Sequence, residues 1–115
     1  MQRDKASLYD VITSMRIVMG YVKGRSYTDF SQDPACVDAV VRRLEVIGEA
    51  VKRLSLPFRD QSPQIPWQKM AGMRDRLIHG YDDVDLDDVF NTVTKVIPTL
   101  IPQLESLFAS LPDPT

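Results

Sequence analysis

Residues 33–54, DPACVDAVVRRLEVIGEAVKRL, carry the clearest helical pattern of this 115-residue chain. Asp33 is a good N-cap and Pro34 suits a first helical turn, so a helix should begin there. Gly48 lies on its apolar face, and glycine in a helix interior costs about 1 kcal/mol relative to alanine. We therefore expect another helix to approach closely at Gly48. The apolar residues recur at three- and four-residue steps, as one face of a helix requires: Val37, Val40, Val41, Leu44, Ile47, Val51 and Leu54.

The segment before this helix repeats the same pattern. A first helix should end near Gly24, and residues 25–35, RSYTDFSQDPA, are predicted to form a loop. The prolines at positions 57, 63 and 66 predict a connection that is not regular helix. The apolar face of the first helix consists of Leu8, Val11, Ile12, Met15, Val18, Met19 and Val22.

Two more helices follow the proline-rich connection. A third helix should begin at Pro66, with Trp67, Met70, Met73 and Leu77 facing inward, and Gly80 is well placed to end it. A fourth helix should begin at Asp85, and Pro98 should kink or break it. No segment shows sustained strand alternation. The prediction is an all-α, antiparallel bundle of four to five helices, the last one kinked or broken near Pro98.

Composition limits the class of protein. The length is typical of one domain, so residues 1–115 should form a single helical unit. With 43% hydrophobic and 26% charged residues, and no apolar run of roughly 20 residues or signal peptide, we expect a soluble, cytoplasmic protein without membrane contact. Cys36 is the only cysteine, so no internal disulfide is possible. One cysteine and one histidine argue against a structural zinc site within one chain.

Charge is distributed unevenly along the sequence. Residues 1–80 hold 13 basic and 9 acidic side chains, whereas residues 81–115 hold 1 basic and 7 acidic ones. The net charge of −2 argues against a general nucleic-acid binder, which would be basic overall. A local basic face on the first 80 residues stays compatible with these values.

The only histidine of the chain lies in the motif RDRLIHGYDD, residues 74–83. Asp75 and His79 are four residues apart and would share a helix face, so the carboxylate could orient the imidazole or hold it protonated. Arg74 would lie on a neighbouring stripe. Because Gly80 can turn the chain, Tyr81 could come back beside His79.

These side chains suit attack of an RNA 2′-hydroxyl on the adjacent phosphate without a metal ion. His79 could act as base or acid, and Arg74 could stabilise the charge that develops on the phosphate. One histidine leaves a second proton transfer unfilled, and a two-fold dimer would supply it. An imidazole near a helix C-terminus, one turn after an aspartate, is also a common stabilising arrangement. Spacing alone leaves both interpretations open.

The sequence resembles the HepT-like family of HEPN ribonuclease toxins over nearly its whole length. The resemblance rests on RRLEVIGEAVKRLS (residues 42–55), IPWQKMAGMRDRLIHGY (residues 65–81) and DLDDVFNTV (residues 85–93). The second segment contains the family pattern of Arg, four residues, His, any residue and Tyr. The resemblance implies a HEPN-like helical bundle that acts as a homodimer on tRNA or mRNA, with Arg74 and His79 catalytic. Asp75 and Glu49 are weaker supporting candidates, and Glu49 could equally be a solvated or interface charge.

The resemblance also implies a partner, a minimal nucleotidyltransferase that serves as antitoxin. Such a partner is expected to transfer AMP from ATP onto the motif tyrosine, here Tyr81. Neither a metal nor another cofactor is expected in the chain itself. The alternative from a different class is a non-catalytic helical protein whose residues 74–81 dock on the nucleotidyltransferase and are modified by it.

Overall fold

The computed structural model describes residues 2–79 and 85–112, except for the side chains of residues 2, 73, 74 and 76–79. Within these ranges the chain is helical and contains no strand, which confirms the predicted fold class. No helix of the described ranges is both long and apolar enough to cross a membrane. The helices are α1 (Gln2–Val22), α2 (Tyr27–Ser31), α3 (Pro34–Arg53), α4 (Leu56–Asp60), α5 (Trp67–His79), α6 (Leu86–Asn91) and α7 (Ile97–Ser110), with a π-helical segment (Thr92–Val96) between the last two.

Helix α1 lies at the centre of the bundle and runs antiparallel to both α3 and α7. Its first turn meets the end of α3, where the buried Asp4 accepts hydrogen bonds from the Ser55 backbone N–H and hydroxyl, each at 2.7 Å. Its last turns meet the start of α3, where the Cys36 thiol lies 3.7 Å from the Tyr21 carbonyl oxygen. On the other side, Arg16 pairs with Glu105 of α7. The antiparallel arrangement is therefore fixed by contacts at both ends of α1.

The predicted apolar faces form the core. All seven apolar residues predicted for α3 are buried, and Asp33 caps this helix through a hydrogen bond from the Cys36 N–H, with Pro34 in the first turn. The pKa of Asp33 is lowered, first by this backbone hydrogen bond and then by Arg25. Gly48 is buried on α3, one turn before Lys52, whose ammonium group reaches α5. The close approach of a second helix at Gly48 stays a prediction.

Two short helices contradict the predicted loops. Helix α2 occupies the segment predicted as a loop, because Ser26 and Asp29 form a capping box and Phe30 is completely buried. Helix α4 lies in the proline-rich connection. Ser55 caps it and its proline occupies the first turn, the helical position where the missing N–H of proline does no harm.

The interruption predicted near Pro98 takes the form of the π segment. Pro98 lies in the first turn of α7, directly after residues whose hydrogen bonds span five positions, as from the Ile97 N–H to the Thr92 carbonyl. In an α-helix the proline ring would clash with the carbonyl four residues earlier, and the wider turn accommodates it. Pro102 lies inside α7 without ending it.

An aromatic cluster positions α6 after residues 80–84. Tyr27 lies on Phe30 and Phe90 with ring centroids 6.4 and 5.8 Å away, and Phe30 is 5.3 Å from Phe90. Partial burial, and then the nearby charges of Asp87 and Asp85, raise the pKa of Tyr27. The phenol also forms a hydrogen bond with the Asp87 side chain, which joins α2 to the first turn of α6.

Candidate active site

Helix α5 carries the motif and is anchored at its first residue. Trp67 is buried, its indole N–H donates to the Ser62 carbonyl oxygen at 3.0 Å, and its ring lies 5.9 Å from that of Phe58. From there α5 packs along α3 and ends at His79. Trp67 and Met70 are buried as predicted, whereas the side chains of Met73 and Leu77 lie outside the described part.

The structure places Arg74 and His79 on the last two turns of the same helix. Five residues separate them, which corresponds to about 7.5 Å along the axis. His79 is the last residue of α5. The side chains of both residues, and all of Gly80 and Tyr81, fall outside the described residues. The roles predicted for Arg74, His79 and Tyr81 stay predictions.

Asp75 joins α5 to α3. Its Oδ1 atom lies 2.7 Å from the Nζ atom of Lys52, and the two side chains are 49% and 41% exposed. A surface pair of this kind contributes about 0–1 kcal/mol to stability. Since a carboxylate has about four acceptor positions, the contact with Lys52 is compatible with a further hydrogen bond to the imidazole. The orienting role of Asp75 toward His79 stays a prediction.

Glu49 lies on α3, three residues before Lys52, and is half-buried. Side chains three residues apart are neighbours on a helix surface. Glu49 and Asp75 therefore flank Lys52 on two adjoining helices. Helix spacing thus makes Glu49 a neighbour of Lys52, and Lys52 contacts Asp75.

Lys52 was missed by sequence reasoning. It is 23 residues away from Asp75, and no local spacing rule connects residues on separate helices. The only signal was its position one turn after Gly48, the glycine where close approach of a helix was predicted. Combining the predicted contact at Gly48 with the charge of the next turn would have identified it.

Comparison with known proteins identifies ribonucleases throughout. Residues 11–107 match the family model described as "Ribonuclease HepT-like". The chain is similar to "Putative RNase TTE0752" of Caldanaerobacter subterraneus subsp. tengcongensis, with 39% identity over 93% of this chain and 96% of that protein. It is 40% identical to "Putative RNase MJ0125" of Methanocaldococcus jannaschii, over 93% and 92% of the two chains. It is also 38% identical to "Probable ribonuclease HepT" of Thermococcus cleftensis, over 90% and 94%. No solved structure matches the chain.

Proposed function

This chain belongs to the HepT-like family of ribonucleases, and we propose from that premise that it is a metal-independent endoribonuclease toxin acting as a homodimer on tRNA or mRNA. The observation that carries the proposal is the family match over a segment that contains the complete Arg74–His79–Tyr81 pattern. The arrangement of Arg74 and His79 on the final turns of α5 supports it, since both lie at the same helix end.

The proposed reaction is an internal transfer at one phosphate of the RNA. One His79 takes the proton of the 2′-hydroxyl, whose oxygen forms a new bond to the phosphorus. The bond from phosphorus to the 5′ oxygen breaks, and that oxygen takes a proton from the second subunit's His79. The products are a 2′,3′-cyclic phosphate and a free 5′-hydroxyl. Arg74 neutralises the negative charge that increases on the phosphate oxygens in the transition state, a role suited to a guanidinium that stays charged.

The position of His79 at the end of α5 suits the acid in this reaction. A terminal carbonyl dipole stabilises the imidazolium, typically by a few tenths to 1 kcal/mol at a surface. The negative charge of Asp75, one turn earlier, would stabilise the imidazolium in the same way. The base must be neutral, so the two histidines of a dimer would hold opposite protonation states during the first step.

A mixed dimer tests whether two histidines cooperate. A heterodimer of one wild-type and one His79→Ala subunit, isolated through two different tags, should lose about 10²-fold or more of its cleavage rate because one proton transfer is missing. A wild-type dimer that carries the same two tags is the control. Half of the control rate would show that each motif works alone and would contradict the shared site.

Neutralisation is proposed to occur at Tyr81. A nucleotidyltransferase antitoxin would join the α-phosphate of ATP to the phenolic oxygen and release pyrophosphate. The attached AMP adds a negative charge and a bulky base close to the site where the RNA phosphate must bind, so it repels and blocks substrate.

Labelling tests this proposal directly. With radiolabelled ATP and a minimal nucleotidyltransferase, the wild-type chain should be labelled and lose its cleavage activity. Tyr81→Phe should stay unlabelled and active, and Tyr27→Phe is the matched control for loss of a phenol elsewhere. Label that persists in Tyr81→Phe would contradict the assignment.

One observation favours the second candidate, the non-catalytic partner of a nucleotidyltransferase. The acidic charge of −6 over residues 81–115 opposes RNA next to the motif, yet suits docking on a basic protein surface. This function predicts labelling at Tyr81 without cleavage of any RNA, so the same preparation distinguishes the two functions.

A further inference from the structure

A groove with a volume of about 590 Å³ runs between α5 and the π segment. Its floor is apolar and includes Met15, Leu44 and Ile47. Polar groups line its sides: Lys69 comes from α5, Asp88 and Asn91 come from α6, and Thr92 begins the π segment. Small-molecule sites have this size and this combination of apolar walls with a few polar groups.

The π segment adds a second reason to regard the groove as a site. Segments of this type are rare inside helices and are frequent at functional sites. Thr92 and Thr94 donate their hydroxyls to carbonyl oxygens four residues earlier, at 2.8 and 2.7 Å. These bonds hold the widened turn and leave the exposed Asn91 amide beside the groove.

Gly72 is the third observation. It lies inside α5, lines the groove and is exposed. Glycine there costs about 1 kcal/mol relative to alanine, yet a Cβ at this position would meet no described atom outside its own helix within 4 Å. No packing among the described residues explains it, and the described residues leave the space beside its backbone unoccupied.

The charge of α5 indicates what that occupant is. Helix α5 contains one acidic residue, Asp75, and three basic residues: Lys69, Arg74 and Arg76. Its net charge is therefore +2, in a chain whose net charge is −2. Lys52 of α3 adds a cation beside it. A basic helix next to an apolar groove complements a nucleotide, whose phosphate is anionic and whose base is flat and apolar on its faces.

We propose that this groove binds the adenine base of the RNA nucleotide adjacent to the cleaved phosphate, an inference that rests on the proposed ribonuclease function. The base enters beside Gly72, its faces contact the apolar floor, and the Asn91 amide pairs with N6 and N7 of adenine. Lys69 contacts the phosphate of that nucleotide. Gly72 lies seven residues before His79, about 10 Å along α5, a span that neighbouring nucleotides of one strand can bridge.

The test is a titration of the chain with adenosine 5′-monophosphate (AMP), followed by two-dimensional NMR. A second titration with uridine 5′-monophosphate (UMP) serves for comparison. AMP should shift the signals of groove residues and bind more tightly than UMP. Gly72→Leu, which directs a side chain into the groove, should weaken AMP binding at least 10-fold. Gly20→Leu is the matched control, because a Cβ at Gly20 of α1 is equally free of contacts and lies away from the groove.

Asn91→Ala is a second variant, for the case that Gly72→Leu disturbs the folding of α5. Asn91 is exposed, so its truncation should leave the fold intact. It should reduce the preference for AMP over UMP. Absence of AMP binding, or binding that Gly72→Leu leaves unchanged, would overturn the proposal. A Gly72→Leu chain that sediments as a monomer where wild type is a dimer would also overturn it, since the groove would then belong to the subunit interface.

The AMP-binding experiment and the RNA-cleavage experiment test the two proposals independently. RNA cleavage by wild type without AMP binding would refute the adenine site and leave the nuclease intact. AMP bound in the groove without cleavage of any RNA would support the nucleotide site and contradict the nuclease.

Discussion

The His79→Ala chain should cleave RNA about 10²–10⁴-fold more slowly than wild type, with its helix content and its dimer preserved. The reason is that the variant removes a proton donor and a proton acceptor at once from a dimer that has no other histidine. The same variant should cause no growth arrest when expressed without the proposed antitoxin. Cleavage is measured on total tRNA, helix content by circular dichroism and mass by sedimentation.

Gln68→Ala is the matched control for this change. Gln68 is exposed on the first turn of the same helix, so its truncation should leave the rate close to wild type. A His79→Ala preparation free of contaminating nuclease that retains cleavage would remove the basis of the catalytic assignment. A variant that lost activity and also the dimer would instead indicate that the histidine is structural.

The Leu8→Ala chain should be less stable to unfolding by about 2–5 kcal/mol. Leu8 is completely buried on α1, the helix on which both α3 and α7 pack, so the truncation leaves a cavity in the core. Small domains have unfolding free energies of about 5–15 kcal/mol, and the loss is therefore a large fraction of the total. Urea unfolding followed by circular dichroism measures it.

Leu56→Ala makes the same chemical change at a position that is 64% exposed in the first turn of α4. It should alter stability by no more than about 0.5 kcal/mol. Equal losses for the two variants would contradict the packing of α1 between α3 and α7.

The long helices were predictable because their signals are local. In α3 the cap at Asp33, the proline and the apolar stripe all agree, and the stripe is buried as expected. Helix α2 was missed although Ser26 and Asp29 match a capping pattern. A five-residue helix has too few internal hydrogen bonds to be stable alone, and α2 depends on Phe30, whose ring contacts Phe90 of α6. Contacts between residues 60 positions apart leave no local signal.

In the candidate site, too, features with a local sequence signal were predictable and contacts between distant residues were not. The helix that carries the motif was predicted from spacing, and Arg74 and His79 lie on its last turns, whereas spacing alone left the role of the motif open. Lys52 was not, because its contact with Asp75 joins separate helices. Pro98 marked an interruption, but spacing could not distinguish a break from the π segment that forms one wall of the groove.

The most direct test of the central claim is cleavage without metal. The chain, purified without any nucleotidyltransferase, is incubated with total tRNA in excess EDTA beside His79→Ala, and the ends of the products are analysed. The account predicts that only the wild type cleaves and that its products carry 2′,3′-cyclic phosphates. If both proteins are folded and dimeric and neither cleaves any RNA, the nuclease assignment is contradicted and residues 74–81 are a docking and modification segment.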